Sequence, residues 1–440
     1  MKKMLIMLIT FIIIITSVLL LALDYSRKYK PIKLDELIVH YDNILNSDDT
    51  YNVTFTYLDD PDVYCSIDAE NYIPIKDCTF SLKAGTYKLF LRRNMLDTFK
   101  EFTIHPKFVG TFSSPIDVLS EYYLALGGTK DLDFTFDYPE EYKTNRKYII
   151  EDESIISIKK DIIKGLKVGT TRFTVQLPDG NNKTYTVIVT DLIQPITLNN
   201  NKPYLPCKKY TEEEAHLLDK ILESRIKEAG EGTRGATVAI ARFLTMEFPY
   251  QIRYFNENGR LDGHGRPVID GEGRYYHKGL YLSEDKYKDI VKSTPSGPKI
   301  WGCNIYDQFI AKMNMNGFTC SGFVTWVLYN AGLNPGDVGA GDYPQFNDDL
   351  SDMGPHHEIT EEYMKTGNYK VGDFIGRNGH AALIIGIDDD TVYTAESLPP
   401  KLKVYTYERY QGIVQDKNLT YVIEMDDNYP NGEGYYKNMW

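Results

Sequence analysis

The sequence predicts a multidomain chain: an N-terminal transmembrane helix, two all-β sandwich units, and a C-terminal α+β domain. Three observations carry this expectation. At 440 residues the chain exceeds a single domain, since domains run roughly 100 to 200 residues. Met4 to Leu23 is apolar and uncharged. Apolar residues alternate at a period of two before about residue 195 and take helical spacing after residue 211. Composition excludes other classes: 42% hydrophobic and 25% charged residues describe an ordinary folded protein. The net charge of −13 makes nucleic acid a poor ligand, because it repels phosphate backbones.

Residues 1–30 read as a membrane anchor. A helix needs about 20 apolar residues to cross a bilayer, and Met4–Leu23 supplies them behind Lys2 and Lys3. A cleaved signal peptide is the rival reading. Its apolar region is usually about 7 to 15 residues and ends in a small-x-small site, whereas Ala22 is the only small residue near this end. Arg27, Lys28, Lys30 and Lys33 outnumber Lys2 and Lys3, so the positive-inside rule alone puts the body in the cytoplasm. The chemistry of the body argues for the other side.

Residues 31–110 form the first expected β-sandwich. Tyr51 to Tyr57 alternates at a period of two, and Thr79 to Leu82 and Gly85 to Leu91 follow at sandwich spacing. Cys65 and Cys78 lie within it and can pair in an oxidising compartment only if their Cβ atoms meet. Residues 111–194 form the second, with Thr171–Leu177 and Thr184–Thr190 joined through a Pro178-Asp-Gly180 turn. Asp152-Glu-Ser-Ile-Ile-Ser-Ile158 followed by Lys164-Gly-Leu-Lys-Val-Gly-Thr170 resembles the bacterial Ig-like (group 2) domain, which implies an extracytoplasmic spacer. Neither unit shows a catalytic constellation.

Residues 195–210 read as a linker, and residues 211–440 as the α+β domain. Thr211 and Glu214 have capping-box spacing ahead of Leu217, Leu218, Ile221, Leu222 and Ile226, with Gly230 as a stop. A second helix is expected from about Thr233 to Met246. In Gly317-Phe-Thr-Cys-Ser-Gly322, Thr319 is a good N-cap and Cys320 falls in the first turn of a helix that ends near Gly332. Unpaired N–H groups and the positive dipole end stabilise a thiolate there. A proton acceptor is offered by His380, expected at the start of a strand after the Gly372-Asp373 turn. The Asp388-Asp-Asp390 turn returns the chain, bringing Thr394 or Glu396 near the imidazole. Glu396 is preferred because a carboxylate also stabilises imidazolium.

Cys-Ser-Gly at a helix head, a Gly-Asp turn, Gly-His opening a strand and a polar residue on the next strand resemble the NlpC family of papain-like cysteine peptidases. Pro298-Lys-Ile-Trp-Gly-Cys303 is similar to that family's Pro-Tyr-Val-Trp-Gly-Gly segment. The resemblance covers residues 297–400 and implies a papain-like fold. It implies Cys320 as nucleophile, His380 as general base and then acid, and Glu396 as the orienting residue. The implied substrate is the peptidoglycan stem peptide, with Ser321, Trp301, Lys299 and Tyr306 as candidate substrate-binding residues and no metal or organic cofactor. Two positions depart from the pattern. Thr319 stands where the family usually has Asp, and Lys299 where it has Tyr, with Tyr306 as a candidate substitute.

Other groups are read as structural. Cys207 and Cys303 are taken as buried or unpaired thiols, and His356-His357-Glu358 as a solvated loop without zinc-site spacing. The expected protein is thus a membrane-anchored, extracytoplasmic peptidoglycan endopeptidase. A CHAP-type amidase with the same Cys, His, Glu order is the nearest alternative, and a non-catalytic wall-binding or adhesion protein is the alternative of another class.

Overall fold

The computed structural model describes residues 2–28, 30–41, 46–57, 62–94, 96–104, 111–137, 146–177, 180–204, 210–254, 278–283, 301, 317–333, 338–339, 348–349 and 353–440. They fall into two compact units, one formed by residues 1–111, 136–147 and 176–182, the other by 112–135, 148–175 and 183–440. The expected membrane anchor is a helix, α1 (Lys2–Lys28). Its side chains are described for Ile9 and for residues 11–25, all of them exposed. Over the described residues, no helix is long and apolar enough to cross a membrane. The remainder of the Met4–Leu23 run lies outside the described side chains.

Among the described residues, the first unit contains seven strands: β1 (Ile38–Tyr41), β2 (Tyr51–Thr56), β3 (Tyr64–Ser66), β4 (Ile73–Pro74), β5 (Thr79–Leu82), β6 (Gly85–Arg93) and β7 (Leu96–Ile104). They pair as two sheets, β1-β2-β5 and β4-β3-β6-β7. Strict alternation along β2 buries Tyr51, Val53 and Phe55 and exposes the residues between them. These three pack in one core with Leu89, Leu91 and Phe102 of the opposite sheet. Two sheets closed over one core, with this strand order, make an Ig-like sandwich. Cys65 of β3 is disulfide-bonded to Cys78, with Cα atoms 6.2 Å apart. The buried Arg93 donates from Nη1 to the Lys30 carbonyl at 2.6 Å, fixing the chain that follows α1 to this sandwich.

The second unit opens with β8 (Tyr122–Ala125), β9 (Thr129–Asp131), β10 (Lys147–Ile150), β11 (Ile156–Lys159), β12 (Ile162–Gly165), β13 (Gly169–Gln176) and β14 (Asn182–Thr190). Sheets β10-β13-β14-β8 and β9-β12-β11 result, with β8 parallel to β14. The β13–β14 turn includes Pro178 and Asp179, which lie outside the described residues. Tyr123, Ala125 and Ile193 pack in the same core as Leu218, Leu222 and Phe243.

The α+β portion starts at α2 (Glu212–Ala229). Its capping box is complete: Glu214 N–H donates to Thr211 Oγ1 at 3.2 Å, and Thr211 N–H to Glu214 Oε2 at 2.9 Å. Helix α3 (Arg234–Arg242) is capped by Thr233 and continues as a π-turn over Phe243–Glu247, so the segment expected to be one helix to Met246 changes its winding at Phe243. Helix α4 (Cys320–Asn330) packs on an antiparallel sheet in the order β15 (His356–Glu358), β20 (Tyr421–Ile423), β16 (Phe374–Arg377), β17 (His380–Ile387), β18 (Thr391–Leu398), β19 (Lys401–Glu408). The His356–Glu358 segment, read as a loop, is therefore an edge strand, held by main-chain pairing to β20.

A buried guanidinium joins α3 to this sheet. Arg234 has no exposed surface, and its Nη1 lies 2.6 Å from Asp373 Oδ1. It also bonds Asp426, lies 3.2 Å from Glu433 Oε2, and sits over the Tyr429 ring at 4.8 Å. Asp373 accepts two backbone N–H groups, from Lys370 at 2.7 Å and Met425 at 3.0 Å. Gly372 is required beside it. Its φ is +98°, and a Cβ there would lie 2.7 Å from Arg234 Cγ.

Removing one partner of a buried ion pair strands the other, at a cost of about 3–5 kcal/mol. Arg234→Met is expected to lower stability by that order, and adding Asp373→Leu to recover part of it. All three tryptophans lie at or beyond residue 301, so urea unfolding followed by tryptophan fluorescence reads this unit. A single-variant loss below about 1 kcal/mol, the level of an exposed pair, would refute a structural role for the pair.

Candidate active site

Cys320 opens α4, as the cap pattern requires. Thr319 Oγ1 accepts the Gly322 N–H at 3.1 Å. Immediately upstream the chain runs against Arg253: the Phe318 N–H donates to the Arg253 carbonyl at 3.1 Å, and a Cβ on Gly317 would lie 2.1 Å from that oxygen. Glycine is thus the residue that lets the helix start approach its neighbour. Ser397 Oγ, on β18, donates to the Phe318 carbonyl at 2.8 Å, tying the helix head to the sheet.

The sheet supplies the partners. His380 begins β17 and Glu396 lies on β18, each with at most 1% of its surface exposed. His380 Nε2 is 2.8 Å from Glu396 Oε2. A carboxylate only accepts, so Nε2 carries the proton and Nδ1 of the neutral ring is the free lone pair. Nδ1 is buried and has no hydrogen-bond partner among the described residues. The Cys320 sulfur lies 3.9 Å from the Gly379 carbonyl, one residue before the imidazole.

A β-bulge makes this pairing possible. Ile387 and Gly386 pair with Val392 and Tyr393, then the register shifts so that Ile384 pairs with Thr394 and Leu383 with Ala395. Carried one pair further, it sets Glu396 opposite Ala382 and diagonal to His380 on the same face. Were the Gly386–Tyr393 register continued without this shift, Glu396 would stand opposite Leu383, on the other face. The Ile385 carbonyl accepts from Arg242 Nε at 2.8 Å.

The electrostatics follow from the geometry. Burial pushes the Cys320 thiol up, but the His380 imidazole and the Ala381 and Ser321 N–H groups outweigh it and bring the thiol below its ordinary value. Burial pulls His380 down, yet Cys320 and Glu396 together raise it to about 9. Each group thus favours the charged form of the other. The arrangement can hold a thiolate-imidazolium pair at neutral pH, with helix N–H groups where an oxyanion would form.

Both residues weighed as the third member are present, in different roles. Thr394 donates its hydroxyl to Glu396 Oε1, and Tyr407 donates to the same oxygen at 2.9 Å. Thr394 therefore fixes the carboxylate and does not replace it. Tyr407 was not singled out in the sequence; its signal is alternation along β19, which sets Tyr405 and Tyr407 on one face. Ser321 is buried in the first turn, and its N–H faces the sulfur. Trp301 is wholly buried among Phe318 and Trp326, with ring centroids 5.1 and 5.5 Å away, so it packs behind the helix head and presents no surface to a substrate. Lys299 and Tyr306, and the cysteines at 207 and 303, lie outside the described residues. Among the described residues, no group of three or more His, Cys, Asp or Glu is placed to hold a metal ion.

No family model matches the chain, and no curated protein is similar to it. Solved structures with some likeness include domains 4 and 5 of the S-layer protein SbsC, at 13% identity and a TM-score of 0.16, covering 35% of this chain and 98% of that one. The C-terminal 282-residue fragment of intimin, solved with the intimin-binding domain of its translocated receptor, gives 14% identity and a TM-score of 0.19, covering 42% and 78%. A tandem of titin Ig domains gives 11% and 0.14, covering 32% and 87%. At these values the likeness assigns neither a family nor an activity to this chain.

The charge pairing has a measurable consequence. Alkylation by neutral iodoacetamide requires the thiolate, so a lowered thiol pKa moves the midpoint of the rate-pH curve to lower pH. Cys320 should label with a midpoint below the roughly 8.5 of a free cysteine. His380→Ala should move the midpoint upward, because burial then acts without the opposing imidazolium. An unchanged midpoint in that variant would break the coupling.

Proposed function

We propose that the chain is a papain-like cysteine hydrolase of the NlpC type, acting on amide bonds of peptidoglycan stem peptides. The observation that carries this reading is the imidazole between two partners, Nε2 bound to Glu396 and Nδ1 left free on the side of the Cys320 thiol. The stem peptide as substrate rests on the sequence resemblance.

In the proposed reaction the Cys320 thiolate attacks the amide carbon, and the oxyanion takes hydrogen bonds from N–H groups at the helix start. Imidazolium His380 then gives its Nδ1 proton to the leaving amine as the C–N bond breaks, leaving a thioester. Water attacks the thioester while His380 removes its proton, and the C–S bond breaks to release the acid and restore the thiolate. Glu396 holds the ring and supports its charge throughout, as the third residue of a triad does. This chemistry calls for no metal or organic cofactor.

The same reading places the body outside the cytoplasmic membrane, with α1 as a single-pass anchor. Two observations support it: the Cys65–Cys78 disulfide, which suits an oxidising compartment, and the uncharged apolar run within α1.

Incubating the protein with purified peptidoglycan and detecting new amines by mass spectrometry tests the activity. Cys320→Ala should release none while keeping its fold. Glu396→Gln should lower turnover by roughly 10²- to 10⁴-fold, and Thr394→Val by much less. New amines released by the Cys320→Ala protein would sink the nucleophile assignment, and no amines from the wild type would favour the wall-binding alternative. New termini between glycan and peptide, in place of those within the peptide, would favour the CHAP-type alternative. Topology is tested separately: protease added to intact protoplasts should remove residues 31–440, and full protection would reverse the placement.

A further inference from the structure

A cavity lies away from Cys320, between the β8–β14 sandwich and helices α2 and α3 of the same compact unit. It holds about 500 Å³, within the roughly 300–1,000 Å³ of small-molecule sites. Its wall carries four cations. Three are matched: Arg225 by Glu247 at 2.8 Å, Lys130 by Glu228 at 2.8 Å, and Lys437 by both Asp133 at 2.6 Å and Asp131 at 3.3 Å.

Arg242 is the exception. It is only 8% exposed and meets no carboxylate among the described residues. Its Nε donates to the Ile385 carbonyl, and Nη2 to the Lys437 and Asn438 carbonyls at 2.8 and 3.3 Å. Nη1 makes no bond among the described residues, and Arg242 lines the cavity. Burial draws the guanidinium down to about 10, still charged at neutral pH. A buried charge without a counter-ion is expensive, so a negative charge placed beside Arg242 is favoured.

We propose that this cavity binds a small monoanionic carboxylate carried on an apolar or aromatic body. Asp131, Glu228 and Glu247 already stand on the wall, so a single carboxylate at Arg242 suits it better than a phosphate dianion. Leu124, Val238 and Met439 supply the apolar surface, and Trp440, whose ring lies 5.9 Å from the Arg242 guanidinium, offers a stacking face. The cavity lies apart from Cys320 and is linked to that site's strand β17 by the Arg242 bond to the Ile385 carbonyl.

Calorimetry on the full chain in detergent tests it, with benzoate as probe, benzamide as its neutral isostere, and inorganic phosphate as the rival anion. Benzoate should bind saturably, with Kd of about 1 mM or tighter, and at least about tenfold tighter than benzamide or phosphate, a gap of one ordinary charged hydrogen bond. Arg242→Met should abolish binding. Because Arg242 also holds Ile385, Ala239→Phe serves as the second variant: it fills the cavity with Arg242 in place, and should abolish binding while leaving the tryptophan-detected unfolding midpoint near wild type. Equal binding of benzoate and benzamide, tighter binding of phosphate, no benzoate binding, or benzoate binding that survives Ala239→Phe would each overturn the assignment.

Discussion

The contact between Arg234 and Asp373 sets the position of almost everything that matters around Cys320. A charge on α3 is taken wholly out of water, and the sheet must bring a carboxylate to it. Asp373 can do so only because Gly372 turns with a positive φ and leaves room for the arginine stem. The same turn starts β16, and β16 registers β17 so that Arg377 stands opposite His380. The histidine is thus placed by an ion pair seven residues upstream, before its own interactions begin. Glu433 and Asp426 bring the chain beyond the sheet back to the same guanidinium, so one side chain gathers a helix, a turn and a returning segment.

Within the site, burial and pairing oppose each other, and pairing wins. A lone buried thiol or imidazole would stay neutral. Here burial disfavours both charges, but each is offset by its neighbour, with Glu396 behind the ring. That carboxylate is itself satisfied by Thr394 and Tyr407, so no member of the chain of contacts is left to solvent. Such a buried polar network, satisfied on the carboxylate side of the ring and open only at Nδ1, fixes one arrangement.

Much of this was legible in the residues because local rules coincide with global ones. Thr211 with Glu214, Thr319 before Cys320, and His380 at a strand start are short-range patterns, and the structure keeps each in place. What was not legible depends on long-range register. Arg234 looks like any helix-surface arginine until the sheet is packed over it, and Tyr407 becomes a partner of Glu396 only once β19 is paired. The π-turn at Phe243 likewise follows from packing, since its sequence continues a helical pattern. His356 and His357 carry no strand pattern of their own and gain their conformation from β20.

The bulge at Ile385 has a further reach. A strand presents its side chains by parity, so the number of residues separating His380 from Glu396 must keep both on one face, and with Ile385 in the strand the register shift is what does so. A residue added or removed between the bulge and His380, with the pairing beyond it unchanged, turns the ring away from the carboxylate, whereas loss of Ile385 itself leaves regular pairing with Glu396 still opposite Ala382. Length variation in β17 between the bulge and His380 is thereby confined to even steps. The arginine that holds the odd carbonyl guards that counting rule from the far side of the sheet.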